Sequence, residues 1–374
     1  MMRVIFTGGG TAGHINPALA VAGYLRSREP QAKILYIGNQ NGMEAQLVPA
    51  QGFAFAGIHA RGIVRSTRLG AIKKNVNAIM QLYTARKEAG KILADFAPDL
   101  VLGTGGYVSA PVIIQAAAMG IKTLTHEQNA FPGMTTKLVS KHVDKVLLAV
   151  EEAKKHLSPR AEFVVTGNPI REEIIFYKKD KARTELGFDD RPCILSFGGS
   201  LGARAINESV ADLMAWHSNH KDKPVYHIHG TGKKGYDSFM ALLSERGVKL
   251  ADNPQIMVRE YIDDMPRCNA AADLVISRAG AITLSEIQAS GKASILIPSP
   301  NVTENHQYHN AMVLARSNAA VVIEEAQLSG GRLIQSVEEL ITHPDRLLAL
   351  SAAAAQLAIV DANDRIYREI KQLL

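Results

Sequence analysis

The sequence predicts an α/β protein with two Rossmann-like, doubly wound parallel sheets that follow one another along the chain. Short apolar runs alternate with helical patterns, and strands that alternate with helices form parallel sheets. The alternation occurs in two similar cycles, because VIFTGGGTAGH and ILSFGGSLGAR both run from an apolar strand through a glycine-rich turn into a helix. A length of 374 residues also favours two domains over one.

The first cycle opens with the strand RVIFT, which is followed by a helix from Asn16 or Pro17 to about Arg28. The later strands of this cycle are KILYIG, DLVLGTGG, KTLTHEQ, KVLLAV and FVVTGNP. Each of them is followed by a loop or a helix, as expected for a parallel sheet.

The second cycle begins near Arg191 with CILSFGGS and a helix to about Trp216, and continues with VYHIHGTG, QIMVREYI, LVISRAG, ASILIPSP and AAVVIEE. A charged stretch after Asn168 interrupts the strand pattern, so we predict domains at 1–167 and 168–355. Ligands of such sheets bind at the carboxyl ends of the strands. We therefore expect a cleft between the two domains.

The composition indicates a folded, positively charged protein. Hydrophobic residues make up 47% of the chain, and the net charge of +6 favours phosphate-bearing ligands or an anionic surface. Two cysteines without a C-x-x-C pair indicate a reducing compartment and no structural zinc. Because no signal peptide and no apolar run of roughly 20 residues is found, we expect any membrane contact to be peripheral.

The first glycine turn, Gly8 to Gly13, spells G-x-G-x-x-G and has three interpretations. A dinucleotide site needs an acid at the end of the second strand, but Asn39 and Gln40 stand there and Glu44 falls well past it. Alternatively the glycines form only a tight connection, or their N–H groups form a nest for an anion. His14 beside the turn favours a catalytic role, because imidazole takes up a proton near neutral pH.

The second cycle has a matching turn, Gly198 to Arg204, which adds the hydroxyl group of Ser200. Two such turns predict two phosphate-bearing ligands. Further on, SRAGAITLSE predicts a helix capped by Thr283 or Ser285, with Glu286 in its first turn. The Glu286 carboxylate either complements the helix dipole or accepts hydrogen bonds from two vicinal sugar hydroxyls, such as those of a ribose.

Motifs of metal-dependent and nucleotide-hydrolysing enzymes are missing from the sequence. Neither D-x-D nor the P-loop pattern occurs, so we predict no metal and no cofactor. A departing diphosphate would be stabilised by helix N-termini with Arg171 or Arg204. A nucleic-acid interface is disfavoured, because aromatic residues make up only 6% of the chain and do not alternate with basic ones.

Several motifs, in their order and spacing, resemble the MurG family of bacterial glycosyltransferases over most of the chain: GGGTAGH, MEAQLVP, LGTGGYVSAP, HEQN, GNPIR, GGSLGAR, EYIDDM, SRAGAITLSE and HQYHNA. The resemblance implies the GT-B architecture, with a C-terminal helix at about 356–374 that returns to the first domain. It also implies an inverting transfer of N-acetylglucosamine from UDP-GlcNAc to the C4 hydroxyl of MurNAc in undecaprenyl-pyrophosphoryl-MurNAc-pentapeptide (lipid I), which gives lipid II for peptidoglycan. The N-terminal half would hold the acceptor and the C-terminal half the donor.

The resemblance also implies the residues that contact UDP-GlcNAc. Glu286 would hold the ribose, Ser200 would face the diphosphate, and the backbone of Ile262 would read uracil. The full set is Thr11, Ala12, Gly13, Asn129, Arg171, Ser200, Ile262, Ala281, Ile282, Thr283, Leu284, Ser285, Glu286 and Gln307. Two positions depart from the family pattern: Ala12 stands at the second residue of the family's usual T-G-G, and His306 replaces a glutamine that is often found beside the sugar-binding Gln307.

The reaction needs a general base, because the acceptor hydroxyl loses a proton as it attacks. His14 is the first candidate, since it lies on the acceptor-side turn. Glu127 is the second, and the alternative for it is a carboxylate that braces a loop. Tyr107 and Asn129 are expected to orient the reacting groups.

The segment from Arg61 to Lys91 mixes basic and apolar side chains, which predicts contact with an anionic membrane surface. The alternative is an ordinary amphipathic helix packed on the sheet. The expected location is the cytoplasmic side of the cell membrane, with the cell-wall and division machinery as candidate partners. Other functions left open are another GT-B UDP-sugar enzyme, such as a UDP-GlcNAc 2-epimerase, and a non-catalytic nucleotide-sugar binding protein.

Overall fold

The computed structural model describes residues 1–60, 69–222 and 224–374, with the side chains of 69–81 excepted. The chain divides into two compact units. Unit 1 comprises Met1–Ile170 and Asp361–Leu374, and unit 2 comprises Arg171–Val360. In the basic segment predicted to contact a membrane, residues 61–68, which include Arg61, Arg65 and Arg68, lie outside the described residues, and so do the side chains of 69–81.

Unit 1 contains a parallel sheet with seven strands over its described residues: β1 (Arg3–Thr7), β2 (Lys33–Asn39), β3 (Ala54–Ile58), β4 (Leu100–Gly103), β5 (Lys122–Glu127), β6 (Lys145–Leu148) and β7 (Glu162–Val165). The strand order is β3-β2-β1-β4-β5-β6-β7. The sheet therefore grows outward from β1 in both directions, which is the doubly wound arrangement.

Unit 2 repeats this plan with six strands in the part of the chain that the structure describes: β8 (Cys193–Phe197), β9 (Tyr226–Gly230), β10 (Ile256–Arg259), β11 (Leu274–Ser277), β12 (Ala293–Leu296) and β13 (Val321–Val322). The strand order is β10-β9-β8-β11-β12-β13, again parallel throughout. The predicted fold class, two Rossmann-like doubly wound parallel sheets, is confirmed.

The helices connect successive strands. Those of the first part of unit 1 are α1 (Ala12–Arg28), α2 (Glu44–Ala50), α3 (Leu69–Phe96), α4 (Ser109–Ala118) and α5 (Met134–Val139). Those of unit 2 are α6 (Glu172–Phe176), α7 (Lys179–Leu186), α8 (Arg204–Asn219), α9 (Tyr236–Glu245), α10 (Met265–Ala271), α11 (Ala281–Ala289), α12 (His306–Arg316), α13 (Gly330–Thr342) and α14 (Pro344–Gln356). The last helix, α15 (Ala362–Leu373), belongs to unit 1. Short 3₁₀ helices occupy Glu151–His156, Leu250–Asp252, Thr303–Asn305 and Glu325–Gln327.

Successive side chains of a strand point to opposite faces of the sheet, and apolar clusters cover both faces. In β1, Ile5 packs into one apolar cluster and Phe6 into the other. The cluster of Phe6 also contains Ile366 and Ile370 of α15, so the C-terminal helix covers that face of the first sheet. Among the described helices, none is long and apolar enough to cross a membrane.

Two helices begin earlier than the sequence predicted. Helix α1 starts at Ala12 and not at Asn16 or Pro17, because Thr11 is already the extended N-cap residue and Pro17 is accommodated inside the helix. His14 therefore lies in the first helical turn. Helix α11 starts at Ala281 with extended Gly280 as its N-cap.

The predicted caps of α11 are wrong for this reason. Thr283 and Ser285 lie within the helix, and the Ser285 hydroxyl donates to the carbonyl of Ala281 at 3.2 Å. Glu286 is the sixth residue of the helix and lies beyond its first turn. Its carboxylate therefore does not cap the helix.

Candidate functional site

The first glycine turn is packed against the loop that follows β4. A Cβ atom on Gly106 would lie 2.0 Å from the carbonyl oxygen of Gly9, and Gly106 has a φ of +80°. A Cβ atom on Gly10 would lie 3.0 Å from the ring of Tyr107. Only glycine fits where two backbones approach this closely, so the turn and the loop form one closely packed support.

The buried side chain of Glu44 is hydrogen bonded to this turn and to the end of β2. Its Oε1 accepts a hydrogen bond from the backbone N–H of Asn39 at 2.9 Å, and its Oε2 accepts one from the N–H of Gly10 at 3.3 Å. From its place past the end of β2 in the sequence, Glu44 does not fit the acidic residue of a dinucleotide site. A protein carboxylate thus takes a position that the sequence analysis had offered to an external anion.

His14 lies beside the same turn and is oriented by its Nδ1 atom. Nδ1 is 3.3 Å from the carbonyl oxygen of Gly9 and 3.1 Å from the hydroxyl oxygen of Thr11. A carbonyl only accepts hydrogen bonds, so the contact with Gly9 favours the neutral tautomer with its proton on Nδ1, while the Thr11 hydroxyl can donate or accept. The other nitrogen, Nε2, then carries the lone pair and is the atom able to accept a proton.

The predicted orienting residue Tyr107 belongs to this support. Its hydroxyl oxygen accepts a hydrogen bond from Asn39 Nδ2 at 2.8 Å, and its ring covers Gly10. Thr104, three residues earlier, donates to the carbonyl oxygen of His14 at 2.6 Å. The loop after β4 therefore holds both the glycine turn and the first turn of α1.

Glu127, at the end of β5, is 3% exposed and bonded through both carboxylate oxygens. Oε1 accepts from the N–H and from Nδ2 of Asn129, both at 3.0 Å, and Oε2 accepts from the N–H of Gly133 at 3.2 Å. These are the contacts of a carboxylate that fixes a loop. They favour the bracing alternative for Glu127 over the role of general base.

Unit 2 has a cavity of about 190 Å³ at the carboxyl ends of β8, β9 and β10. Five residues predicted to bind the donor line it: Arg171, Ser200, Ile262, Thr283 and Glu286. Five further lining residues were not predicted from the sequence: Phe197, Glu260, Tyr261, Asp263 and Met265. Phe197 ends β8, the next three follow β10, and Met265 begins α10.

Two glycine loops form one wall of the cavity. A Cβ atom on Gly202 would lie 2.1 Å from the carbonyl oxygen of Thr231, and one on Gly232 would lie 2.2 Å from the nitrogen of Gly202. Both glycines have positive φ, at +79° and +82°. The loop that carries Ser200 is thereby held at the N-terminus of α8, a position that suits an anionic ligand.

Arg171 and Glu286 form an ion pair on another wall of the cavity, with Nη2 of Arg171 3.0 Å from Oε1 of Glu286. The Glu286 side chain is 16% exposed and that of Arg171 is 50% exposed. Burial raises the pKa of the Glu286 carboxyl, and the neighbouring guanidinium opposes that shift. The pair therefore keeps a largely buried carboxylate facing the cavity.

Other predicted residues lie elsewhere. In unit 1, Thr11, Ala12 and Gly13 are exposed at the start of α1, and Asn129 is bonded to Glu127. In unit 2, Gln307 accepts a hydrogen bond from the N–H of Ser299 at 2.9 Å. Six predicted site residues of unit 2 are not among those lining the cavity: Arg204, Ala281, Ile282, Leu284, Ser285 and Gln307.

Comparison with family models gives one family for both units. Residues 4–148 match the glycosyltransferase family 28 N-terminal domain, and residues 193–366 match the glycosyltransferase family 28 C-terminal domain. The chain therefore belongs to glycosyltransferase family 28.

Curated relatives match the chain over its full length. A protein of Acetivibrio thermocellus is 45% identical over 374 residues, covering 100% of this chain and 98% of the relative. A protein of Caldanaerobacter subterraneus subsp. tengcongensis is 41% identical over 373 residues, covering 100% of both chains. Both are named UDP-N-acetylglucosamine--N-acetylmuramyl-(pentapeptide) pyrophosphoryl-undecaprenol N-acetylglucosamine transferase.

Solved structures give the same fold. The crystal structure of Acinetobacter baumannii MurG is 28% identical, with a TM-score of 0.80 and 100% of both chains covered. A UDP-GlcNAc 2-epimerase from Neisseria meningitidis bound to UDP-GlcNAc is 15% identical, with a TM-score of 0.66, covering 99% of this chain and 100% of the other. The second likeness is one of fold alone.

Proposed function

We propose that this protein transfers N-acetylglucosamine from UDP-GlcNAc to the C4 hydroxyl of MurNAc in lipid I, producing lipid II for peptidoglycan synthesis. Family membership makes it a glycosyltransferase, and the relatives' names give this donor and acceptor. The observation that carries the proposal is the cavity of unit 2, where Ser200, Arg171 and Glu286 surround a space suited to a nucleoside diphosphate.

In this proposal unit 2 binds the donor. The ribose hydroxyls donate to the Glu286 carboxylate, and the backbone of Ile262 reads the uracil. The loop of Ser200 and the N-terminus of α8 hold the diphosphate, together with the Arg171 guanidinium. The contacts predicted in unit 1, at Thr11 to Gly13 and at Asn129, and the sugar contact of Gln307 stay predictions.

Unit 1 binds the acceptor and supplies the base. The C4 oxygen of MurNAc attacks the anomeric carbon of GlcNAc, and the bond from that carbon to the diphosphate oxygen breaks. Nε2 of His14 takes the hydroxyl proton, and UDP leaves with the bonding electrons. One such displacement converts the α-linked donor into a β-linked product.

Glu127 is assigned a supporting role in this mechanism. Because three N–H groups occupy its oxygens, the carboxylate holds the loop of Asn129 in place and does not accept the proton. Tyr107 supports the glycine turn beside His14 through its contact with Gly10.

The lipid acceptor requires the protein to reach the membrane surface, and we propose peripheral binding on the cytoplasmic side through the basic segment from Arg61 to Lys91. Basic residues near anionic lipid contribute about 1 kcal/mol each. Sedimentation with liposomes should therefore increase with the fraction of anionic lipid. Equal binding to neutral and anionic liposomes would contradict this part of the proposal. The cell-wall and division machinery stays a candidate partner.

The transfer itself is tested with radiolabelled UDP-GlcNAc and a lipid I analogue. The proposal predicts label in the lipid fraction only when both substrates and the protein are present. Release of UDP without a labelled lipid would contradict it, and binding of UDP-GlcNAc without turnover would point to a non-catalytic protein.

A further inference from the structure

A single peptide group connects Glu44 to His14. The peptide bond between Gly9 and Gly10 offers its N–H to Oε2 of Glu44 at 3.3 Å and its carbonyl oxygen to Nδ1 of His14 at 3.3 Å. A buried carboxylate and the imidazole thus lie at the two ends of one amide dipole.

We propose that Glu44 is a positioning residue that acts on His14 through the Gly9–Gly10 peptide, fixing the proton on Nδ1 and increasing the basicity of Nε2. Hydrogen bonds in series polarise one another, and the effect is stronger in a buried site than in water. A carboxylate on the N–H makes the carbonyl a better acceptor for Nδ1–H. It thereby favours both the Nδ1–H tautomer and the protonated imidazolium. The catalytic consequence rests on the proposed function, in which His14 is the base.

The surrounding backbone is shaped to keep this peptide in place. A Cβ atom on Gly9 would lie 2.2 Å from Oε1 of Glu44, and one on Gly106 would lie 2.0 Å from the Gly9 carbonyl oxygen. On the far side of the carboxylate, Oε1 is held by the N–H of Asn39. The carboxylate and the peptide therefore have little freedom to rotate apart.

Among the described residues, two tyrosines contact this arrangement from neighbouring elements: Tyr36 on β2 and Tyr107 after β4. The Tyr36 hydroxyl donates to the Gly8 carbonyl oxygen at 2.9 Å, and burial, with the Glu44 charge beside it, raises its pKa. Tyr107 accepts from Asn39 Nδ2.

The tautomer of His14 can be measured without any substrate. We would label the histidine nitrogens of the full chain with ¹⁵N, assign His14 from the spectrum of the His14→Gln variant, and record the ring nitrogens at pH 8.5. The proposal predicts a protonated Nδ1 and an unprotonated Nε2 in the unmodified protein. A protonated Nε2 there overturns it, whatever the variants do.

The role of the carboxylate is tested with Glu44→Gln, which keeps the shape of the side chain and removes its charge. A melting curve first establishes that the variant is folded. We expect a larger fraction of the Nε2–H tautomer, a kcat lower by about 10- to 100-fold, and a KM for UDP-GlcNAc within twofold of the unmodified value. Because His14 then binds its proton less tightly, the acid limb of the kcat profile should move to lower pH.

The control is Glu162→Gln, which removes an exposed carboxylate from β7 of the same unit and should leave the tautomer and the profile unchanged. A folded Glu44→Gln protein with an unchanged tautomer and an unchanged acid limb overturns the proposal. If the tautomers behave as predicted but no lipid is glycosylated, the proposed function fails while the link between Glu44 and His14 stands.

Discussion

Arg171 donates two hydrogen bonds to the same oxygen of Glu286, from Nη2 at 3.0 Å and from Nε at 3.2 Å. Both residues line the cavity of unit 2. The guanidinium fixes Oε1 of the carboxylate, so Glu286 is held in one orientation before any ligand binds. A carboxylate held in this way is suited to accept hydrogen bonds from the two hydroxyl groups of a ribose.

Replacing Glu286 by Gln should weaken UDP binding by about 10- to 100-fold, because hydrogen bonds to a charged group contribute about 1.5–3 kcal/mol. Isothermal titration with UDP and with 2′,3′-dideoxy-UDP measures the contribution of the ribose hydroxyls. The unmodified protein should prefer UDP, and the variant should bind both ligands almost equally.

The matched control for this experiment is Glu245→Gln, an exposed acid at the end of α9 in the same unit. It should bind both ligands as the unmodified protein does. A Glu286→Gln protein that still prefers UDP over the dideoxy ligand would remove Glu286 from the ribose.

Replacing His14 by Ala should lower kcat by about 10²- to 10⁴-fold, the usual contribution of a positioned general base. Binding of UDP-GlcNAc should stay nearly intact, because the proposed donor site lies in unit 2. Steady-state kinetics and titration with UDP-GlcNAc separate the two effects. His142→Ala, at an exposed position of the same unit, is the control, and an almost unchanged kcat in His14→Ala would exclude His14 as the base.

Glu127→Gln should destabilise the loop that Glu127 braces. An amide has one acceptor oxygen in place of two, so the N–H of Gly133 or the contacts of Asn129 lose their partner, at a cost of about 1–3 kcal/mol in the free energy of unfolding. Urea unfolding measures this loss. The acid limb of the kcat profile should stay where it is, and a shift of that limb would restore Glu127 as a candidate base.

The stability of unit 2 should fall in mild acid because of three buried histidines. Burial lowers the pKa of His217 and of His229 to about 3, and burial together with those neighbouring rings lowers the pKa of His227 well below its usual value. Between about pH 6.5 and pH 3 the unfolded chain takes up protons that the folded chain does not bind. The free energy of unfolding should therefore decrease as the pH falls through this window, by up to about 1.4 kcal/mol per pH unit for each histidine.

Urea unfolding at pH 7.5 and at pH 5.5 tests this dependence. Trp216, the only tryptophan of the chain, lies in α8 beside His217 and reports on unit 2 by its fluorescence. In His217→Leu the pH dependence should be weaker by about the share of one histidine, whereas the exposed His142→Leu should change nothing. Equal stability of the unmodified protein at the two pH values would contradict the assignment.

The sequence could predict those features that depend on local pattern. The alternation of strands and helices predicts both sheets. Glycine is needed at Gly106 and Gly202, because a Cβ atom there would collide with a neighbouring backbone. Arg171, Ser200 and Glu286 were each expected near a nucleotide, and they line one cavity.

The features that sequence analysis missed depend on contacts between elements. From the sequence, Glu44 lies too far past β2 to be the acid of a dinucleotide site. In the structure α2 begins at Glu44, and its carboxylate accepts hydrogen bonds from the N–H groups of Asn39 and Gly10. Likewise Arg171 and Glu286 are 115 residues apart, so no local pattern could pair them. The predicted start of α11 was wrong because Thr283 and Ser285 are good capping residues. In the structure the extended residue Gly280 is the N-cap, so the helix begins before both of them.

The structure of the product tests the inverting transfer from UDP-GlcNAc to lipid I most directly. We would incubate the protein with UDP-GlcNAc and a lipid I analogue, isolate the lipid and determine its new linkage by NMR. The account predicts one GlcNAc in β linkage to the C4 oxygen of MurNAc. An α linkage, attachment at another hydroxyl, or conversion of the donor to its 2-epimer without a lipid product would contradict it.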